Sequence, residues 1–187
     1  PYGTHLLIHE LGPMTTHRDL VLTHDNIVKK LDRMAREILE VHFRESRLVL
    51  VGIEGQGMLV CEALTRRLRA LSSLDIQEVE LQINKHAPLS EEVVCNVPLA
   101  AMNDAIVIVV DDVLNSGKTL IHAVRHVLLG NPREVHTAVL VDRKHRAFPV
   151  RADYCGLTLS THLNEHIAVD LSDTNNANVH LERPRAQ

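Results

Sequence analysis

Apolar residues return along this chain at two different spacings, and their order predicts alternating helices and strands. Ile27, Leu31, Met34, Ile38 and Val41 recur every three or four positions, which predicts an amphipathic helix running to about Phe43 with Thr23 or Asp25 as its N-cap. Leu48 to Ile53 is a short run of apolar residues, the pattern of a strand buried on both faces of a parallel sheet. Gly55 and Gly57 then give a tight turn into a second helix carrying Leu59, Leu64 and Leu68. Ile76, Val79, Leu81 and Ile83 predict another strand, with the alternation only partly kept. From Asn84 to Pro98 the chain turns polar and proline-marked, the composition of a surface loop or of a lid. Ile106 to Val110 and Val135 to Val141 predict two further buried strands with a helix from about Lys118 to Leu129 between them, and Tyr154 to Leu159 and Ile167 to Leu171 predict short closing strands. Such alternation implies an α/β fold: a mostly parallel central sheet flanked by helices. Pro1 to Leu22 has no clear period and is expected to form an irregular arm, residues 1–22, ahead of one domain over 23–173. The Asn-rich tail, 174–187, carries Pro184 and is expected to fray or to serve an oligomer contact.

The stretch Ile106 to Leu120, IVIVVDDVLNSGKTL, carries the most chemistry. Its strand ends at Asp111 and Asp112, and open α/β sheets bind ligands at the carboxyl ends of their strands. Asn115, Ser116 and Gly117 can turn sharply, so the helix beginning near Lys118 directs its unpaired N–H groups into the loop and attracts a phosphate. Ser116 and Thr119 add hydroxyl donors and Lys118 adds charge, while the aspartates offer acceptors for sugar hydroxyls or a hydrated Mg²⁺. A lone Asp-Asp pair at such a turn can equally be a helix cap. Strand, acid pair, small-residue loop and helix start together point to a sugar-phosphate pocket. Gly117-Lys118-Thr119 also supplies the last three residues of a Walker A loop, but Asp112 stands where that loop needs a glycine, and a carboxylate there would repel the phosphates.

Composition narrows the classes further. In 187 residues, 45% hydrophobic, one domain with an ample core is expected, and 2% aromatic residues without Trp make that core aliphatic. The same scarcity of aromatics speaks against the stacking platforms of single-strand nucleic-acid binders. With 20 Lys and Arg against 24 Asp and Glu, the formal charge is −4, unfavourable for a face that displaces counterions from RNA. The 13 histidines are scattered without zincin spacing and are expected to be solvated or locally hydrogen-bonded, with His145 the best placed to line a site. Cys61, Cys95 and Cys155 lie far apart, an odd and sparse count that suits a reducing compartment. No apolar run is long enough to span a bilayer and no leader pattern opens the sequence, so a cytoplasmic protein without a membrane partner is expected.

The Ile106–Leu120 segment resembles the 5-phosphoribosyl 1-diphosphate (PRPP) motif of the type I phosphoribosyltransferases: a hydrophobic strand, two acidic residues, then a phosphate loop. AVLVDRKHRAFPVRADYCG, from Ala138 to Gly156, is similar to the matching stretch of the PyrR-type proteins, a family of uracil phosphoribosyltransferases and pyrimidine-operon RNA attenuators. LVLVGIEGQG resembles the strand and pyrophosphate loop of the same family, and the similarity spans roughly Leu22 to Leu171. The resemblance implies a type I phosphoribosyltransferase fold with a small hood subdomain, Mg²⁺ as cofactor, PRPP and a nucleobase or nucleotide as partners, and a homodimer or homotetramer. It also implies roles. Asp111 and Asp112 would contact the ribose hydroxyls and the metal, and Asn115, Ser116, Gly117, Lys118 and Thr119 would cradle the 5′-phosphate. Glu54, Gly55, Gln56 and Gly57 would face the pyrophosphate, Lys85 would act from the flexible loop, and Asp142, Arg143 and Arg146 to Val150 would border the base pocket.

The departures from that family are specific. Its pyrophosphate loop usually reads Lys-Thr-Arg-Gly where this chain has Glu54-Gly55-Gln56-Gly57, and its flexible-loop Tyr-Arg-Asp-Asp is replaced by Asn84-Lys85-His86-Ala87. Family positions that meet RNA are kept at Arg36, His145, Arg146 and Arg151, whereas Asp32 and Leu157 replace a polar residue and a lysine. Two functions are therefore expected: an enzyme that transfers phosphoribose to a nucleobase, uracil by resemblance, with release of pyrophosphate, or a catalytically weak regulator that senses PRPP or nucleotides, with RNA as a disfavoured partner.

Overall fold

The computed structural model describes residues 16–88 and 92–184. In chain order the elements are β1 Thr16–Leu22, α1 His24–Val41, β2 Arg47–Ile53, α2 Gln56–Leu71, β3 Asp75–Gln82, β4 Val94–Cys95, a 3₁₀ turn Leu99–Met102, β5 Ile106–Leu114, α3 Lys118–Leu128, β6 Glu134–Asp142, β7 Tyr154–Thr158, β8 His166–Asp170 and β9 Asn178–Pro184. The main sheet has the order β4-β3-β2-β5-β6-β7, parallel except for the two-residue edge strand β4. A second, antiparallel sheet, β1-β9-β8, forms a separate small layer.

Each element follows from its residues. Thr23 is the N-cap of α1 and not Asp25: its hydroxyl accepts from the Asn26 N–H at 3.3 Å while the Asn26 side chain accepts from the Thr23 N–H, a reciprocal cap. The continuous apolar runs are covered on both faces. Leu48, Leu50, Ile106 and Ile108 pack in one core with Ile38 of α1 and Leu64 of α2. Val49, Val51, Val107 and Val109 pack in the other with Leu120, Ala123 and Val127 of α3. Side chains alternate across a strand, so residue by residue each buried strand feeds both cores.

Three expectations change. Thr16–Leu22 is a strand rather than an irregular arm, and Asn178–Pro184 is a strand rather than a fraying tail; the rest of both segments lies outside the described residues. β9 pairs with β1 along Thr16–Pro184 and with β8 along His166–Glu182, so boundaries at 22/23 and 173/174 would cut one sheet apart. Thr16–Leu22 does not advertise this because its only pairing among the described residues is with β9, more than a hundred residues away, and Asn178–Pro184 takes its place between that distant strand and the nearby β8. Finally, β5 runs on to Leu114, placing Asp111 and Asp112 within the strand's last turn of pleat rather than after its end.

Candidate active site

The carboxyl ends of β5 and β6, the start of α3 and the inner face of β8 enclose a cavity of about 530 Å³. Asp111 and Asp112 line it, together with Asn115, Ser116, Gly117, Lys118 and Thr119. Lys85 reaches in from the segment after β3, its Nζ 3.1 Å from Asp111 Oδ1 and 3.5 Å from Asp112 Oδ1. A second cavity of about 740 Å³ adjoins it, lined by Glu54, Gly55 and Gln56 and sharing Lys85 and Asp112. The predicted sugar-phosphate residues and pyrophosphate loop are thus brought together around one lysine.

Asp111 is only 4% exposed. Burial, and then the neighbouring Asp112, push its carboxyl up to about 8 against the opposing pull of Lys85. Burial acts to lower Lys85, but Asp111 and Asp112 outweigh it and hold the ammonium above its ordinary value. The directions describe one group: a charged lysine over two carboxyls that together retain a proton at neutral pH. Asp111 Oδ1 also accepts from the Asp112 N–H at 3.0 Å, which fixes the side chain.

Gly57 makes that burial possible. A Cβ there would stand 2.8 Å from Asp111 Oδ1, 3.1 Å from Asp111 Cα and 3.3 Å from the Val110 carbonyl. Two of these neighbours are backbone of β5 and cannot yield. Gly57→Ala should therefore cost about 1–3 kcal/mol of stability, read as a lowered Tm in thermal denaturation, and should displace Asp111 from the cavity.

The loop Asn115–Thr119 is held from outside the cavity. Gly117 takes φ +85° as the N-cap of α3, and a Cβ on it would meet Val150 Cγ1 at 2.5 Å, so both conformation and space demand glycine. It offers no side chain to cap the helix; the Lys118 N–H donates to Ser116 Oγ at 3.3 Å, and the N–H groups of the rest of the first turn face the loop. Ser116 O accepts from the N–H groups of Ala147 and Phe148, and Arg143 Nη1 donates to Asn115 Oδ1 at 2.8 Å. Arg143 is buried and also donates to Thr161 Oγ1 and to the carbonyls of His162 and Glu165. Arg146 pairs with Asp142 at 2.5 Å and reaches Asn115 O. Asp142, Arg143 and Arg146 therefore buttress the loop and do not line the cavity; His145, bonded to the Thr161 carbonyl, does not line it either.

The element absent from the predicted site is β8, whose His166, Ile167, Ala168 and Val169 close the cavity from the small sheet, while Val113, Leu114, Leu120 and Val139 add apolar lining. Gln56 was read as facing pyrophosphate, yet its Oε1 accepts from the Leu171 N–H at 2.8 Å and ties the loop to the segment after β8. Nothing in the local sequence of either partner signals that bond.

The sequence matches the family model of the phosphoribosyl transferase domain over residues 17–174. The Bifunctional protein PyrR of Deinococcus radiodurans is 33% identical over 174 residues, covering 89% of this chain and 94% of the relative. Its namesake from Enterococcus faecalis is 36% identical over 156 residues, 80% of this chain and 87% of the relative. Among solved structures, the hypoxanthine phosphoribosyltransferase of Trypanosoma cruzi superposes with a TM-score of 0.71 at 17% identity, over 89% of this chain and 97% of that one. A hypoxanthine-guanine phosphoribosyltransferase of Bacillus anthracis gives 0.66 at 18% identity, over 79% and 86%. At such identity the two structures establish the fold alone.

Proposed function

The chain belongs to the phosphoribosyltransferase family, and we propose that it joins a nucleobase, uracil, to PRPP with release of pyrophosphate. The observation that carries the proposal is the single cavity lined both by an acid pair, Asp111 buried and Asp112 half-buried, and by the start of α3, whose N-cap Gly117 brings no side chain. Asp111 and Asp112 accept from the ribose hydroxyls, and the Asn115–Thr119 loop holds the 5′-phosphate through backbone N–H groups, hydroxyls and Lys118. Lys85 leaves the acid pair as the ribose enters and turns its charge to the pyrophosphate, whose loop adjoins the same lysine in the second cavity. The bond from the ribose anomeric carbon to pyrophosphate breaks as the bond to the base nitrogen forms, so the protein supplies orientation and charge stabilisation rather than a nucleophile. The base would lie toward β8, which closes the far side of the cavity. Uracil rests on the likeness to the PyrR-named relatives. The two carboxylates are hard oxygen donors, and Asp112 is partly open to the cavity, a donor set that suits Mg²⁺. Bound there with PRPP, Mg²⁺ would neutralise the diphosphate and make it a better leaving group.

Pyrophosphate release should be measured with PRPP and Mg²⁺ against uracil, hypoxanthine, guanine, adenine, xanthine and orotate. Release with uracil alone supports the assignment; release with a purine alone keeps the transferase and overturns the base. Asp111 gives a second test. Its carboxyl is up at about 8, so at pH 7 the pair must shed a proton to accept ribose hydroxyls or a cation. Calorimetry in buffers of different ionisation enthalpy should show proton release on PRPP binding near pH 7, fading above about pH 9. The same sign governs stability: the folded state retains a proton that the unfolded chain loses near pH 4, so Asp111 weakens the fold progressively between about pH 4 and 8.

A second reading is favoured by the pyrophosphate loop. Glu54 is exposed beside the second cavity and Gln56 is committed to Leu171, so no cation of this loop meets the leaving group. A protein that binds PRPP yet releases no pyrophosphate with any base would be a sensor that keeps the pocket without the chemistry.

A further inference from the structure

At the opposite end of the main sheet, His42 at the C-cap of α1 meets Glu134 and His136 at the start of β6. One potential ligand atom from each lies within 4.8 Å of the others, and among the described residues this is the one such group of three. Glu134 pairs in register with Ile106, whereas Asp111 pairs with Val139. Five residues of parallel strand separate the two levels, about 16 Å, so the cluster is no part of the ribose pocket. We propose that His42, Glu134 and His136 bind a divalent transition-metal ion, zinc by the chemistry of the donors, which clamps the end of α1 to the start of β6.

Two imidazoles and one carboxylate are borderline and hard donors in the combination that suits zinc, with a fourth position left for water. The surroundings fix the His42 ring and place a carboxylate on the far side of His136. Tyr154 Oη is 3.0 Å from His42 Nε2, which leaves Nδ1 as the ring nitrogen for an ion. His136 Nε2 lies 2.9 Å from Glu134 Oε2, while its Nδ1 faces Asp153 Oδ2 at 4.0 Å. That Asp153 oxygen is itself fixed by the N–H and hydroxyl of Thr137. A carboxylate or hydroxyl behind each imidazole is the usual second layer of a metal centre. The two rings stand edge to face with centroids 4.9 Å apart. Arg133, adjacent in sequence to Glu134, is engaged by Glu45 at 2.5 Å.

Zinc with ligands at about 2.1 Å needs them about 3.4 Å apart, so the Glu134–His136 pair, at 2.9 Å, opens slightly around the ion while His42, within 4.8 Å of both, closes on it by about 1.5 Å or less. Glu134, whose side chain is half exposed, and His136 give the ion its entry. Because an ion that binds only the folded chain stabilises it by mass action, zinc should raise the melting temperature as well as bind.

The test is calorimetric titration of the full chain with Zn²⁺, with Tm followed in parallel, for the native protein, Glu134→Gln, His136→Gln and Asp111→Asn/Asp112→Asn. One zinc per chain is expected in the native and double-aspartate proteins, with affinity at least about tenfold weaker and the Tm rise absent in the other two. Glu134 is exposed, so its variant remains a fair test if His136→Gln folds poorly. Equal zinc affinity in Glu134→Gln and native protein overturns the site, as does zinc uptake abolished by alkylating Cys95 and Cys155, or by the double-aspartate change. No uptake at 100-micromolar zinc, about the top of a specific site's range, also overturns it.

Discussion

Asp111→Asn combined with Asp112→Asn should reduce PRPP affinity by a hundredfold or more, with the fold intact. A hydrogen bond to an ionised acceptor contributes about 1.5–3 kcal/mol, so losing two removes roughly 3–6 kcal/mol, and every 1.4 kcal/mol is about tenfold. Asparagine keeps the shape of each side chain, so Gly57 and the Asp112 N–H still meet an oxygen at position 111. Stability should not fall, because Asp111 in the native protein is a buried carboxyl held largely protonated, and a neutral amide relieves its desolvation. Lys85 loses its partners but is 39% exposed and can turn to solvent. Titration of PRPP into the double variant measures the loss directly, and a Tm at or above that of the native protein shows that it is not unfolding. Unchanged affinity would remove the acid pair from the ribose site and with it the proposed function.

The parts of the site that the sequence displays are those made by consecutive residues. Strand, acid pair, loop and helix from Ile106 to Leu128 can be read because each one's chemistry is local: β-branched residues for the strand, Gly117 for positive φ, Ser and Thr for the helix start. Lys85 was placed by family resemblance, and its position over the acid pair is a fact of three dimensions. What stayed hidden depends on distant partners. Arg143 reads as a pocket residue by resemblance and because it follows a buried strand's carboxyl end, where open sheets bind ligands. Its actual work is to satisfy four oxygen partners between residues 115 and 165. β8 was expected as a strand, but its place against the cavity follows from its pairing with β9, a strand that composition presented as a polar tail.

The His42–Glu134–His136 cluster shows the same limit in sharper form. Glu134 and His136 share one face of β6 at a spacing of two, which is visible in the sequence. His42 lies 92 positions earlier and arrives only because α1 ends beside the start of β6. Spacing rules for metal ligands read local pairs on one element and are blind to a third ligand delivered by packing.

Glu54→Lys should raise kcat/KM for pyrophosphate release by about ten- to thirtyfold at low ionic strength. A single well-placed donor toward developing charge is worth about 3–4 kcal/mol inside a closed site, and Glu54 is exposed, so roughly half of that survives screening. The substitution acts on a rim and disturbs no packing: the Glu54 backbone N–H donates to the Leu81 carbonyl at 3.0 Å and stays in place. Gln56 is left alone because Arg there would break its bond to Leu171 and loosen the hinge between loop and small sheet. Removing a carboxylate and adding an ammonium changes the charge facing the second cavity by two units, beside Lys85, which lines the same cavity. The gain should shrink as salt is raised, since the new charge is screened over about 8 Å at physiological ionic strength. Glu54→Gln should give an intermediate rate, separating removed repulsion from added attraction. If Glu54→Lys tightens pyrophosphate binding without accelerating release from PRPP, the missing cation is not what limits turnover, and the pocket serves as a sensor. If neither changes at low salt, the loop does not face the pyrophosphate in the working complex, and Lys85 alone meets the leaving group.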